Sequence, residues 1–235
     1  MKRKNIVIAA VLIVVLVAAA APLFAQSYGR GRGPANGRGP GKGYGAAGGG
    51  AAVRGGSMEA VIDDIEPGSL SESEKEGILL MREEEKLARD VYLTLYEKWN
   101  IPVFANIARS EETHMDAMQL LIERYGLEDP VSNEAQSNRG SYEQQGFNEL
   151  YADLTEKGLT SYEAALEVGA LIEDLDIADL QELISGSGNE DVKIVYQNLL
   201  KGSRNHLRSF TRQLERYNTA YEPEHISKTD YERIV

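Results

Sequence analysis

The sequence has no cysteine, which excludes a disulfide framework and any thiolate metal site. Histidine is scarce, limited to His114, His206 and His225. No stretch alternates apolar and polar residues with period two, so no strand is expected and the fold class is all-α. Acidic residues are absent from residues 1–57, which hold eight Lys or Arg; residues 58–235 therefore carry 17 basic and all 37 acidic side chains, a net of −20. So acidic a domain repels phosphate backbones and argues against a nucleic-acid partner.

Two of these lacks coincide with positive features at the N-terminus. Lys2, Arg3 and Lys4 precede an apolar run from Ile6 to Ala25, the layout of a secretory signal cleaved after Ala25. The run is also long enough to span a bilayer of about 30 Å, so an uncleaved membrane anchor is the alternative. Either way the folded part is expected outside the cytoplasm, periplasmic or extracellular, and touches a membrane only if that N-terminus is retained. Residues 26–57 follow as a tether: Ser27 to Ser57 hold 13 of the 23 glycines and few bulky apolar residues, too little to offset backbone entropy by burial.

After a lead-in segment, residues 58–70, the chain reads as helices. Ser71 and Glu74 form a capping box that opens a first long helix ending near Trp99, before Asn100-Ile101-Pro102. A second covers about Phe104 to Tyr125, stopped by Gly126. Residues 127–160 form a long connection with one short helix near Phe147–Lys157. A second capping box, Thr160 with Glu163, opens a third long helix to about Ile184, and a fourth spans about Glu190 to Tyr217. Residues 218–235 are a C-terminal tail past these helices, in which His225 is assigned no role. Four long helices with two tight turns and one long middle connection describe an antiparallel four-helix bundle with one crossover, the connectivity of ferritin-like folds.

The apolar stripe of each long helix is interrupted near its midpoint by an ionisable residue. These are Glu85 on the first, Glu111 and His114 on the second, Glu173 with Asp176 one turn on in the third, and His206 on the fourth. In an antiparallel bundle the midpoints share a level, so these groups converge. A single buried carboxylate would take up a proton, but several together, with two histidines and no inward Lys or Arg, require another source of positive charge. A pair of cations supplies it. Carboxylate and imidazole donors without sulfur suit iron or manganese, and zinc also fits. Taken singly, Glu85 within Arg82-Glu83-Glu84-Glu85-Lys86 and Glu173 within Glu173-Asp174-Leu175-Asp176 read as solvated charge runs, and Tyr92 and Tyr196 read as core residues.

The stretches Met81 to Tyr92, Ser110 to Asp116, Gly169 to Ile177 and Gly202 to Arg208, one on each long helix, resemble the ferritin-like di-iron superfamily. The wording is most similar to the prokaryotic "domain of unknown function 2202" family. The resemblance implies a rubrerythrin-like ligand set: Glu85, Glu111 with His114, Glu173, and His206 holding two iron ions. Such sites take a Glu-x-x-His from each of two helices. The second motif departs here, because Ser203 stands three residues before His206. The resemblance offers Asp176 as the replacement ligand, or as the carboxylate that orients a histidine.

The resulting expectation is an exported metalloprotein reacting with dioxygen or peroxide through an unidentified electron donor. The alternatives are a non-catalytic envelope-tethered metal-binding or storage module, and a metal-free helical interaction domain. Ferritin-like relatives often pair, so a homodimer is possible on resemblance alone.

Overall fold

The computed structural model describes residues 57–131 and 138–235. The signal or anchor and the tether, apart from Ser57, lie outside the described residues. Within them the chain is all-α, with seven helices and no strand: α1 Met58–Asp63, α2 Glu72–Trp99, α3 Pro102–Tyr125, α4 Phe147–Gly158, α5 Tyr162–Gly186, α6 Glu190–Glu215 and α7 Lys228–Ile234. None of these helices is long and apolar enough to cross a membrane.

Local chemistry sets the helix ends. The capping box at α2 is present, the Ser71 side chain accepting from Glu74 N–H while the Glu74 carboxylate accepts from the Ser71 backbone. Asn100 closes α2 in the left-handed conformation at φ 52°, and α3 starts two residues earlier than the apolar pattern suggests because Pro102 suits a first helical position. With only Asn100 and Ile101 between them, α3 folds straight back along α2. At α5 the expected Thr160 cap is wrong. Ser161, in the extended conformation, caps Ala164 N–H, whereas the Thr160 hydroxyl donates to Lys157 O.

Helix α5 turns back into α6 through Ser187-Gly188-Asn189, so the long helices form two hairpins, with α2 against α5 and α3 against α6 closing the packing. Glu74 fastens the hairpins at one end. Its Oε1 accepts from Ser187 Oγ (2.8 Å), Gly188 N (2.9 Å), Asn189 N (3.2 Å) and Asn189 Nδ2 (2.9 Å). Burial opposes its charge, yet these bonds and those from Ser71 hold its carboxyl well below the usual range.

The described parts of the connection from α3 to α5 lie along the outer face of α2, and this buries a charge run that sequence alone places in solvent. Arg82, Glu83, Glu84, Glu85, Lys86, Arg89 and Asp90 are all buried. Those on the outer face find partners in or near the connection. Arg82 pairs with Asp129 (3.0 Å), Glu83 accepts from Glu143 N and Gln144 N (2.6 Å each), and Lys86 Nζ donates to Asn138 O (2.9 Å). Asp90 takes Lys86 (2.6 Å), Arg89 (2.7 Å) and the Tyr142 hydroxyl (3.0 Å). Helix α4 continues this cover onto α5, burying Phe147, Leu150 and Leu154 and receiving the Trp99 indole N–H at Gly158 O (2.8 Å).

The C-terminal residues fold back onto α5 and α6. Asp174 is the fastening point: its carboxylate accepts from the Tyr221 hydroxyl and from the N–H groups of Glu224, His225 and Ile226, at 2.6 to 3.0 Å. Tyr221, Ile226 and Ile234 join the core, while His225 is exposed.

Candidate metal centre

The charges of α2 sort by face. Arg82, Glu83, Lys86, Arg89 and Asp90 are matched on the outer face; Glu85 points the other way, among side chains that bring no lysine or arginine. From α3 come Glu111 and His114, from α5 Glu173 and Asp176, and from α6 His206, and all six are buried. Five of them fall into two overlapping groups, Glu85–Glu111–His114 and Glu111–Glu173–His206, whose donor atoms lie within 4.8 Å of one another in each group. Glu111 is common to both. Its Oε2 lies 2.8 Å from His114 Nδ1 and its Oε1 lies 3.0 Å from His206 Nδ1. Glu85 Oε2 is 3.1 Å from His114 Nδ1, and Glu173 Oε2 is 3.4 Å from His206 Nδ1. The two imidazole rings are 5.6 Å apart between centroids.

Asp176 belongs to neither group. Its Oδ2 takes the hydroxyl hydrogen of Ser203, which also donates to Leu199 O at 3.0 Å. A serine of α6 thus holds a buried carboxylate of α5. The other contacts orient the donors. The Tyr92 hydroxyl donates to Glu173 Oε1 at 2.5 Å, and Ser110 Oγ lies 3.0 Å from His206 Nε2, turning Nδ1 inward. Gly202 of α6 lies against the His114 ring, where a β-carbon would collide with Nε2.

Neither Tyr92 nor Ser110 reads as a site residue in the sequence. Tyr92 carries a retrievable signal, since it lies two turns after Glu85 on one stripe; Ser110 carries none. Glu84 was equally hidden. Both of its oxygens are buried without a hydrogen bond, in a pocket lined by Leu87, Leu150, Leu154, Leu171, Ile172 and Leu175. Burial, with Asp179, Asp176 and Glu85 nearby, raises its carboxyl well above the usual range, so Glu84 is held as the acid.

Without a cation the centre must satisfy its charge with protons. Burial pushes Glu85 up to about 7 against the pull of His114, and it raises Glu173 and, more strongly, Asp176. Burial also works against ionised Glu111, but His206 and His114 outweigh it and bring its carboxyl down to about 2. Burial likewise disfavours charged His206, yet Glu111 and Glu173 carry it up to about 10, and Glu85 and Glu111 raise His114 well above its ordinary value. Protonation satisfies the geometry only in part. Glu111 Oε1 and His206 Nδ1 meet as an ion pair at 3.0 Å, but Glu85 Oε1 and Asp176 Oδ1 are buried without a hydrogen bond. Each such atom costs about 1–3 kcal/mol. The converging carboxylates and imidazoles could hold a cation in place of those protons, and oxygen and nitrogen donors of this kind fit iron or manganese.

Comparison with known proteins agrees with the extent of this helical unit. "Uncharacterized protein MJ0754" of Methanocaldococcus jannaschii is 57% identical over 166 residues, covering 71% of this chain and 88% of that protein. The crystal structure of hypothetical protein MJ0754 from Methanococcus jannaschii matches with a TM-score of 0.70 at 55% identity, covering 72% of this chain and 95% of that one. The family model described as "Uncharacterized protein domain (DUF2202)" matches residues 74–235, which take in every candidate donor and the folded-back C-terminus. The chain is a member of the DUF2202 family.

Proposed function

We propose that the chain is an exported, ferritin-like four-helix metalloprotein whose Glu85, Glu111, His114, Glu173 and His206 hold a pair of iron ions. The single observation that carries this reading is Glu111, a buried carboxylate presenting one oxygen to each of two imidazole nitrogens. One shared carboxylate between two similar donor groups is the arrangement of a bridged metal pair. When bound, the ions would supply redox chemistry toward dioxygen or peroxide. The chain's own residues fix the ligands and keep water out. Ser110 and Tyr92 orient His206 and Glu173, and Asp176, held by Ser203, adds a carboxylate at the same level.

The test is anaerobic loading of untagged protein with ferrous iron, followed by metal analysis and exposure to air. About two ions per chain and prompt oxidation support the reading. Fewer than about 0.2 ions per chain overturns it, because buried ligands that bind so little metal are proton carriers instead.

A second reading, a storage or sequestering module tethered at the envelope, is favoured by Ser203, which leaves α6 with His206 but no carboxylate three residues before it. It gives the same loading, with ferrous iron that persists in air for hours.

A further inference from the structure

On its outer face α6 carries a feature of opposite charge. Gln197, Lys201, Arg204 and Arg208 recur every three or four residues, and with Arg233 and Ile234 of α7 they line a groove of about 430 Å³. Four cationic side chains thus converge in a domain whose net charge is −20. The one acid in the lining, Asp230, lies 3.4 Å from Arg233. Among the described residues, Lys201, Arg204 and Arg208 have no carboxylate partner. Arg208 is spent on Ile234 O (2.9 Å) and Asn205 Oδ1, and Arg204 Nε is buried with no hydrogen bond at all. Burial and the neighbouring Arg212 and Arg204 lower the Arg208 pKa, which records crowding of like charge without a counter-ion.

From this geometry we infer that the groove between α6 and α7 is a binding site for a small phosphate-class polyanion. Guanidinium forks match tetrahedral oxyanions and give the stronger, charge-assisted kind of hydrogen bond. The volume falls in the range of small-molecule sites, about 300–1,000 Å³, and exceeds what a lone orthophosphate fills. Ile234 is the only apolar side chain in the lining, so nothing there suits a ring or an acyl chain. The net charge of −20 over residues 58–235 disfavours an extended polyanion such as nucleic acid. The inference is independent of whether the buried centre holds metal.

The test is titration calorimetry of the metal-free chain with tripolyphosphate and with orthophosphate, beside sedimentation with vesicles containing an anionic phospholipid. Saturable tripolyphosphate binding that weakens at least about tenfold in Lys201→Gln/Arg204→Gln supports a free oligophosphate ligand. Vesicle binding lost in the same variant, without tripolyphosphate binding, supports a lipid phosphate. Arg233→Gln, on the exposed side of α7, provides a second variant that leaves α6 untouched and is expected to weaken binding as well. No saturable binding by about 1 mM in either arm, or binding by both variants as tight as that of the unaltered chain, overturns the inference.

Discussion

Glu111 Oε1 and His206 Nδ1 lie 3.0 Å apart in the buried interior as an ion pair. The same carboxylate meets His114 Nδ1 through its other oxygen at 2.8 Å. A residue shared in this way should be indispensable to both halves of the centre, whereas Glu173 serves one. Glu111→Ala is therefore expected to abolish loading, and Glu173→Ala to leave about one ion per chain in the Glu85–Glu111–His114 group. Metal analysis of the two variants separates these outcomes, and equal losses would contradict the bridging role of Glu111.

The protonation pattern predicts an unusual pH response for the metal-free protein. His206 is raised from 6.5 to about 10, so its contribution is complete below pH 6.5 and is lost as pH rises through 10. Glu85 is raised from 4.5 to about 7 by burial, so the folded state holds an extra proton between those values and loses stability as pH climbs across them. Glu111, lowered to about 2, acts in the opposite sense but only at acid pH below 4.5. Thermal melts should thus show the metal-free domain weakening from about pH 6 to 9 while metal affinity rises, because the cation replaces protons on the imidazoles. His206→Leu should flatten the slope. A melting temperature that climbs over that window would contradict the protonation scheme.

Gly202 tests the packing behind the ligands. In an exposed helix interior, Gly→Ala gains about 1 kcal/mol. Here the new β-carbon meets His114 Nε2, so the ring must move and carry Nδ1 off its aim at Glu85 and Glu111. Gly202→Ala is expected to retain full helical circular dichroism while weakening metal binding at least about tenfold, since misplaced ligands lose affinity before the fold is lost.

Asp174 controls the C-terminal residues. Asp174→Ala removes the acceptor for one hydroxyl and three backbone N–H groups and is expected to cost about 3 kcal/mol. Hydrogen exchange should quicken across residues 221–234 while α2 and α3 remain protected. Uniform acceleration along the chain would place Asp174 in a global role instead.

What was legible in the sequence and what was not divides by the range of the interaction. Ser71 with Glu74 announced the start of α2, and the interruptions at Glu85, Glu111, His114, Glu173 and His206 were visible because each breaks an apolar stripe on its own helix. Burial of Arg82, Glu83 and Lys86 was not visible, because the partners that cover them from the connection lie 47 to 61 residues away and several are backbone groups with no side-chain signature. Asp174 was read as surface for the same reason, its partners being N–H groups about fifty residues downstream. The α5 cap failed at shorter range: Thr160 and Ser161 both suit a cap, and only the backbone angles of Ser161 decide between them.

The cladding of α2 also bears on how the interior is reached. With α3, α5, α4 and the connection covering that helix, Glu85, Glu111 and Glu173 are 2% exposed, whereas His114 and His206 are 7% exposed. Within the two three-residue groups the imidazoles are thus the more exposed donors, and a small molecule entering along the seam of α3 and α6, where Ser110 stands beside His206, would meet them first. Bulk at residue 110 should slow such traffic without touching a single ligand.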